Sequence, residues 1–172
     1  ENYIKGKDFN KPEILEKIYS EKSKVIFDIK PSTISFPSEI SGSTEIAKVL
    51  SKDFNKRYEK IRTYYLENDS EEIASFSFLK QRWLVVMIER ETREVKIGTG
   101  FYDWYFEFPQ SGNCKIEKHK ITIGVMQSLS GENLPVFEDL QNSIPYPWVD
   151  RQCLVNTLEK HDILGEVIDY LT

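Results

Sequence analysis

The sequence predicts one α+β domain built on a strongly bent antiparallel sheet. Three observations predict it. Apolar residues recur at helical spacing near both ends of the chain. Strand-like segments joined by short turns fill the middle, an order that gives a sheet covered on one face by helices. Gly98 and Gly100 interrupt the longest strand pattern, and glycine inside a strand marks a bulge or bend. At 172 residues the chain suits a single domain, residues 1–172, whose core needs neither disulfide nor metal.

Taken in order, Phe9 to Ser20 reads as a helix, with Pro12 in its first turn and Ile14, Leu15, Ile18 and Tyr19 as its apolar stripe. Lys24 to Ile29 is a strand, and Pro31 and Pro37 hold the following stretch extended. Ser43 suits the N-cap of a helix over Thr44 to Phe54. Strands follow at Tyr58 to Leu66, Ile73 to Leu79 and Trp83 to Ile88, with a polar break from Glu67 to Glu72. Trp83 to Ile88 is apolar throughout, as in a strand buried on both faces. Val95 to Phe108 and Cys114 to Gln127 are long strands facing each other across a loop at Pro109 to Asn113. Beyond Gly131 the chain turns helical, first at Pro135 to Leu140. The prolines of Pro145-Tyr146-Pro147-Trp148 then exclude regular helix, and two short helices end the chain, Arg151 to Leu158 and Ile163 to Leu171.

Composition narrows the function. A net charge of −5 with scattered lysines and arginines argues against nucleic-acid binding. No apolar run approaches the roughly 20 residues that span a bilayer, so no membrane role is expected. The N-terminus lacks a signal-peptide pattern, which favours the cytoplasm. The chain starts with Glu, not Met, so a removed leader, and with it secretion or a periplasmic location, stays open. Cys114 and Cys153 have no metal spacing and read as buried free thiols, a disulfide between them being the other reading. With two histidines, His119 and His161, no zinc site is expected, and no cofactor.

Strand alternation selects the candidate site residues. Gly98, Gly100, Tyr102, Trp104 and Phe106 share one face; Thr99, Phe101, Asp103, Tyr105 and Glu107 share the other. Asp103 thus stands between aromatic rings. If buried there, its carboxyl is pushed toward the neutral form; if the face is outward or at a dimer interface, it is solvated or paired with lysine or arginine. His119 aligns with Ile121, Ile123 and Val125, the core-facing choice beside Lys118 and Lys120. It reads either as a general acid or base at a pocket mouth or as a strand-end histidine bonded to backbone or water. Pairing across the loop sets Phe108 near Cys114 and Asp103 near His119, and a one-residue slip would part them. Tyr64, Tyr65, Trp83, Tyr102, Trp104 and Tyr105 are the candidate binding residues, with Arg62 a weaker polar one and Trp148 a further candidate pocket wall. The alternative for these aromatics is plain core packing. The serines lack a nucleophile elbow, and Gly98-Thr99-Gly100 precedes no helix start, so it is not a phosphate loop.

The order of these pieces resembles the nuclear transport factor 2-like superfamily, which includes the SnoaL-like proteins. The resemblance rests on the opening helix, "FPSEISGSTEIAKVLSKDF", "IGTGFYDWYFEF" and "HKITIGVM", spanning residues 9 to 127; the "PYPW" tail lies outside the general pattern. It implies a cone-shaped fold around a pocket and a homodimer through the outer sheet face. Members of that superfamily are binding proteins or enzymes. Three functions follow as expectations: binding of a small hydrophobic ligand in the cone; proton-transfer catalysis of isomerase, dehydratase or cyclase type by Asp103 and His119, as ketosteroid isomerase uses carboxyls in an apolar site; or a dimeric interaction module.

Overall fold

The computed structural model describes residues 1–71, 77–110 and 112–172. Two short helices open the chain, α1 (Asn2–Asp8) and α2 (Pro12–Ile18), followed by β1 (Tyr19–Ile29) and β2 (Glu39–Ser41). A helical segment comes next: α3 (Ser43–Ala47), a π-helical stretch over Lys48–Asp53, and α4 (Phe54–Arg57). Gly42 rather than Ser43 holds its N-cap, at φ 87°. Four long strands follow, β3 (Tyr58–Glu71), β4 (Phe78–Glu89), β5 (Val95–Glu107) and β6 (Lys115–Leu129). The chain ends with α5 (Leu134–Ser143), β7 (Trp148–Asp150), α6 (Arg151–Leu158) and α7 (Gly165–Leu171). The strand expected at Ile73 to Leu79 lies largely outside the described residues, and β3 runs on to Glu71 through the expected polar break.

The strands form one curved, unclosed sheet in the order β2-β1-β6-β5-β4-β3-β7. β3 to β6 pair antiparallel as expected, but β1 runs parallel to β6 and β7 parallel to β3. The sheet is therefore mixed. It is also covered on both faces, not one. On the inner face Trp83, Val85 and Met87 pack with residues of α1 to α4. On the outer face Leu84, Val86 and Ile88 pack with Phe137, Leu140, Leu154, Val167 and Leu171 of α5 to α7. The unbroken apolar run of β4 thus serves two cores, because alternate residues of one strand face opposite ways.

The bend falls where the glycines predict. Thr99 pairs with Val125 and Gly100 with Ile123, so Gly124 is an extra residue on β6. Such a bulge bends its strand and sharpens the twist. It brings the β6 backbone so close that a Cβ on Gly100 would lie 1.9 Å from the Thr122 carbonyl oxygen, and one on Gly124 would lie 2.1 Å from the Tyr170 ring on α7. The bulge also changes which side chains face in: Ile121, Ile123 and Met126 join the inner core, while Val125 packs against the outer one.

Inside the cone α1 is fixed by a buried ion pair. Lys7 Nζ donates to Asp8 Oδ1 at 2.7 Å, and the backbone N–H and Oγ1 of Thr63 on β3 donate to the same carboxylate at 2.6 and 2.9 Å. Lys7 Nζ also stands 4.6 Å from the centre of the Phe54 ring, a cation–π contact.

Candidate functional site

The inner face of β3, β4 and β5 carries Tyr65, Trp83, Tyr102 and Trp104, and Tyr3 of α1 closes over them. Tyr102 stacks on Trp83 with ring centres 5.2 Å apart and meets Tyr3 edge-on at 5.3 Å. Trp104 lies flat on the His119 ring, centres 3.6 Å apart. These rings plug the middle of the cone and leave a cavity on each side. Toward the bend lies an apolar space of about 40 Å³, between Leu50 and Phe54 on one side and Val85, Met87 and Met126 on the other. Water-sized space on this scale holds one or two molecules. At the hairpin end lies a larger cleft of about 300 Å³. Tyr3 of α1, Tyr65, Gln81, Trp104, Phe106 and Trp148 of β7 form its main walls. Trp148 packs on Tyr65, centres 4.9 Å apart, and its Nε1 donates to Glu1 Oε1 at 3.1 Å.

The structure parts the two candidate catalytic residues. Glu107 pairs with Lys115 and Phe106 with Ile116, the register expected at the loop, but Tyr105 then pairs with Lys118. Glu117 is the extra residue, and beyond this second bulge Trp104 opposes His119 while Asp103 opposes Lys120. That one-residue shift sends the side chains to opposite faces. His119 is wholly buried in the inner core; Asp103 faces outward between Lys80 and Lys120, its Oδ1 buried without a hydrogen-bond partner. No Asp103–His119 dyad is assembled.

His119 Nδ1 shares a hydrogen bond of 2.7 Å with the Tyr19 hydroxyl, and its Nε2 has no partner. Burial among aromatic rings holds its pKa well below the ordinary 6.5, so the ring is neutral. A histidine charged less readily in the folded than in the unfolded state costs stability once the unfolded form takes up its proton. Stability is therefore expected to fall as pH drops below about 6.5, by up to about 1.4 kcal/mol per pH unit from this group, until the depressed folded pKa is reached. Urea unfolding of wild type and His119→Phe between pH 7 and 5 checks this: the variant should lose that part of the slope.

Alternation also divides the candidate binding residues. Tyr65 and Trp104 face the large cleft, and Trp83 and Tyr102 the small cavity. Tyr64 and Tyr105 point the other way. Tyr64 sits in the outer core edge-on to Tyr146, and Tyr105 packs with Phe78 beneath Lys118 Nζ. Arg62, also outward, donates to the Gln141 carbonyl. Cys114 and Cys153 are free but exposed, not buried; Cys114 stands at the rim of the cleft. Among the described residues no group of three or more His, Cys, Asp or Glu is placed to hold a metal ion, and no helix is long and apolar enough to cross a membrane.

No family model matches the sequence, and no curated protein matches it. Solved structures match its shape. A nuclear transport factor 2-like superfamily protein from Salmonella enterica aligns over 75% of this chain and 84% of its own, with a TM-score of 0.56 at 13% identity. The chain has the nuclear transport factor 2-like fold. Two further structures with TM-scores above 0.5 bear this out. LinA aligns over 76% of this chain and 84% of its own, with a TM-score of 0.61 at 12% identity. A putative scytalone dehydratase from Novosphingobium aromaticivorans covers 73% and 79%, with a TM-score of 0.55 at 16% identity.

On this nuclear transport factor 2-like frame, α5 to α7 occupy much of the outer sheet face through which a homodimer was expected. The cleft residues that sequence reasoning missed include Tyr3, Gln81 and Phe106, whereas Trp148 was a candidate pocket wall and does line the cleft. Gln81 and Phe106 had a signal, since each lies two residues from an inward-facing tryptophan.

Proposed function

We propose that this chain binds a small, largely apolar molecule in the cleft at the hairpin end of the cone. The carrying observation is the cleft itself: about 300 Å³ walled by Tyr3, Tyr65, Trp104, Phe106 and Trp148. That size reaches the lower end of ordinary small-molecule sites, and the wall has their make-up, aromatic with a few polar groups. The small cavity toward the bend suits water better than a ligand. A proton-transfer role for Asp103 and His119 lacks comparable support, because the two residues lie on opposite faces of the sheet.

Naphthalene is the simplest probe of such a space. Equilibrium dialysis is expected to show saturable, one-to-one binding. Leu79 lines the cleft and is only half-buried, so Leu79→Trp should fill the space without opening the core. The variant is expected to keep the wild-type thermal midpoint and to bind naphthalene at least about tenfold more weakly. Unchanged binding by a folded Leu79→Trp protein would place the ligand elsewhere and sink the proposal.

A further inference from the structure

We infer that the cleft selects a flat ring system bearing a hydrogen-bond donor and an acceptor on one edge, a cyclic amide being the simplest case. This inference rests on the ligand-binding reading of the same cleft.

Two of its wall residues carry the inference. Gln81 is 3% exposed and Tyr65 is 4% exposed, yet each has a polar atom with nothing to bond. Gln81 Nε2 donates to the Leu66 carbonyl at 2.7 Å and to the Arg82 carbonyl at 3.0 Å. Both partners accept only, which fixes the orientation of the side-chain amide and uses both of its N–H groups. Oε1 is left as an acceptor without a partner among the described residues. The Tyr65 hydroxyl likewise has none. Burial pushes the Tyr65 pKa far above the usual tyrosine value, so the hydroxyl keeps its proton and remains a donor.

These atoms differ from the orphans deeper in the protein. Trp83 Nε1, Tyr58 Oη and His119 Nε2 are sealed from solvent without partners, whereas Gln81 Oε1 and Tyr65 Oη are not sealed. Both residues line the cleft. They are also neighbours. Tyr65 pairs with Trp83, Gln81 lies two residues before Trp83 on the same face of β4, and the ladder is irregular beyond Tyr65, yet the Gln81 amide reaches the carbonyl of Leu66, the residue next to Tyr65. One acceptor and one donor thus belong to the wall of the same aromatic slot. Tyr65, Trp104 and Trp148 offer ring faces against which a flat ligand can stack. A pure hydrocarbon would fill the slot but leave both polar groups dry and unpaired, and such sites discriminate strongly against ligands that lack the matching groups. In a cyclic amide the N–H meets Gln81 Oε1 and the carbonyl accepts from Tyr65.

The test compares two probes of nearly equal size and shape, isoquinolin-1(2H)-one and naphthalene, by equilibrium dialysis against the full chain. Wild type is expected to prefer the cyclic amide by at least about tenfold. Tyr65→Phe and Gln81→Leu should each bring the ratio of the two affinities most of the way to one. Since Gln81 also ties down two carbonyl groups, its variant is compared only after its thermal midpoint is shown to be intact. Tyr65→Phe, which removes a single oxygen, carries the test by itself if Gln81→Leu does not fold. Equal affinity of the two probes for wild type overturns the inference and leaves the apolar binding site standing, as does a preference that survives in Tyr65→Phe. If folded wild type binds neither probe, the binding reading falls with it.

Discussion

Asp8→Ala is expected to destabilise the protein by about 3–5 kcal/mol, the usual cost of removing one partner from a buried ion pair. The Lys7 and Asp8 side chains are 6% and 0% exposed, so neither charge can turn to solvent. Removing the carboxylate leaves the Lys7 ammonium, among the described residues, with the Phe54 ring alone, and strips the Thr63 N–H and hydroxyl of their acceptor. Lys7→Met should cost less, because Asp8 retains both bonds from Thr63 and the methionine fills similar space. The ranking, read from urea midpoints, is the sharper check: equal losses would mean that the salt bridge, not the carboxylate's three-way bonding, holds α1. Binding should weaken along with stability, since α1 carries Tyr3, a wall of the cleft.

The second large effect concerns the bend. Gly100→Val would drive a side chain into the Thr122 carbonyl, 1.9 Å from where its Cβ must lie. Backbone cannot swing aside as the end of a flexible chain can, so β5 and β6 must part locally. Overpacking of this kind typically costs about 1–3 kcal/mol, and a clash with backbone belongs at the upper end or beyond. Glu16→Ala, at an exposed position on α2 away from the bend, provides the comparison and should stay within about 0.5 kcal/mol. A Gly100→Val protein with a wild-type urea midpoint would show that the sheet tolerates unbending there.

The contrast between Asp103 and Trp104 shows how far the sequence could be read. Alternation correctly separated the faces of β5, because side-chain direction in a strand depends on nothing beyond the strand. It could not settle what stood opposite. That depended on β6, where the bulges at Glu117 and Gly124 each shift the ladder by one residue. Gly124 at least left a glycine as a trace, whereas an unpaired Glu117 has no compositional mark. The second layer of helices was legible as helices but not as a cover for the outer face. Its signal lay in β4, whose apolar residues on both faces needed two partners. α1 was missed because seven residues containing Gly6 are too short to display a helical period. The cleft suffered most from that omission, since Tyr3 comes from α1; Trp148 was legible as a candidate wall, but its three-residue strand lies in a proline-rich stretch that reads only as non-helical.

Those three-residue strands also bear on how the molecule behaves at high concentration. β1 and β3 are long, and either of them left at the border of the sheet would offer a row of unpaired N–H and carbonyl groups as a template for another chain. Instead β2 and β7 lie outside them, so the sheet ends on each side in a segment of only three residues. Along the stretches they cover, an incoming strand finds too little ladder to extend. The segment that brings Trp148 to the cleft therefore also covers β3 against intermolecular pairing, so the proposed binding site and the protected sheet edge share the same three residues.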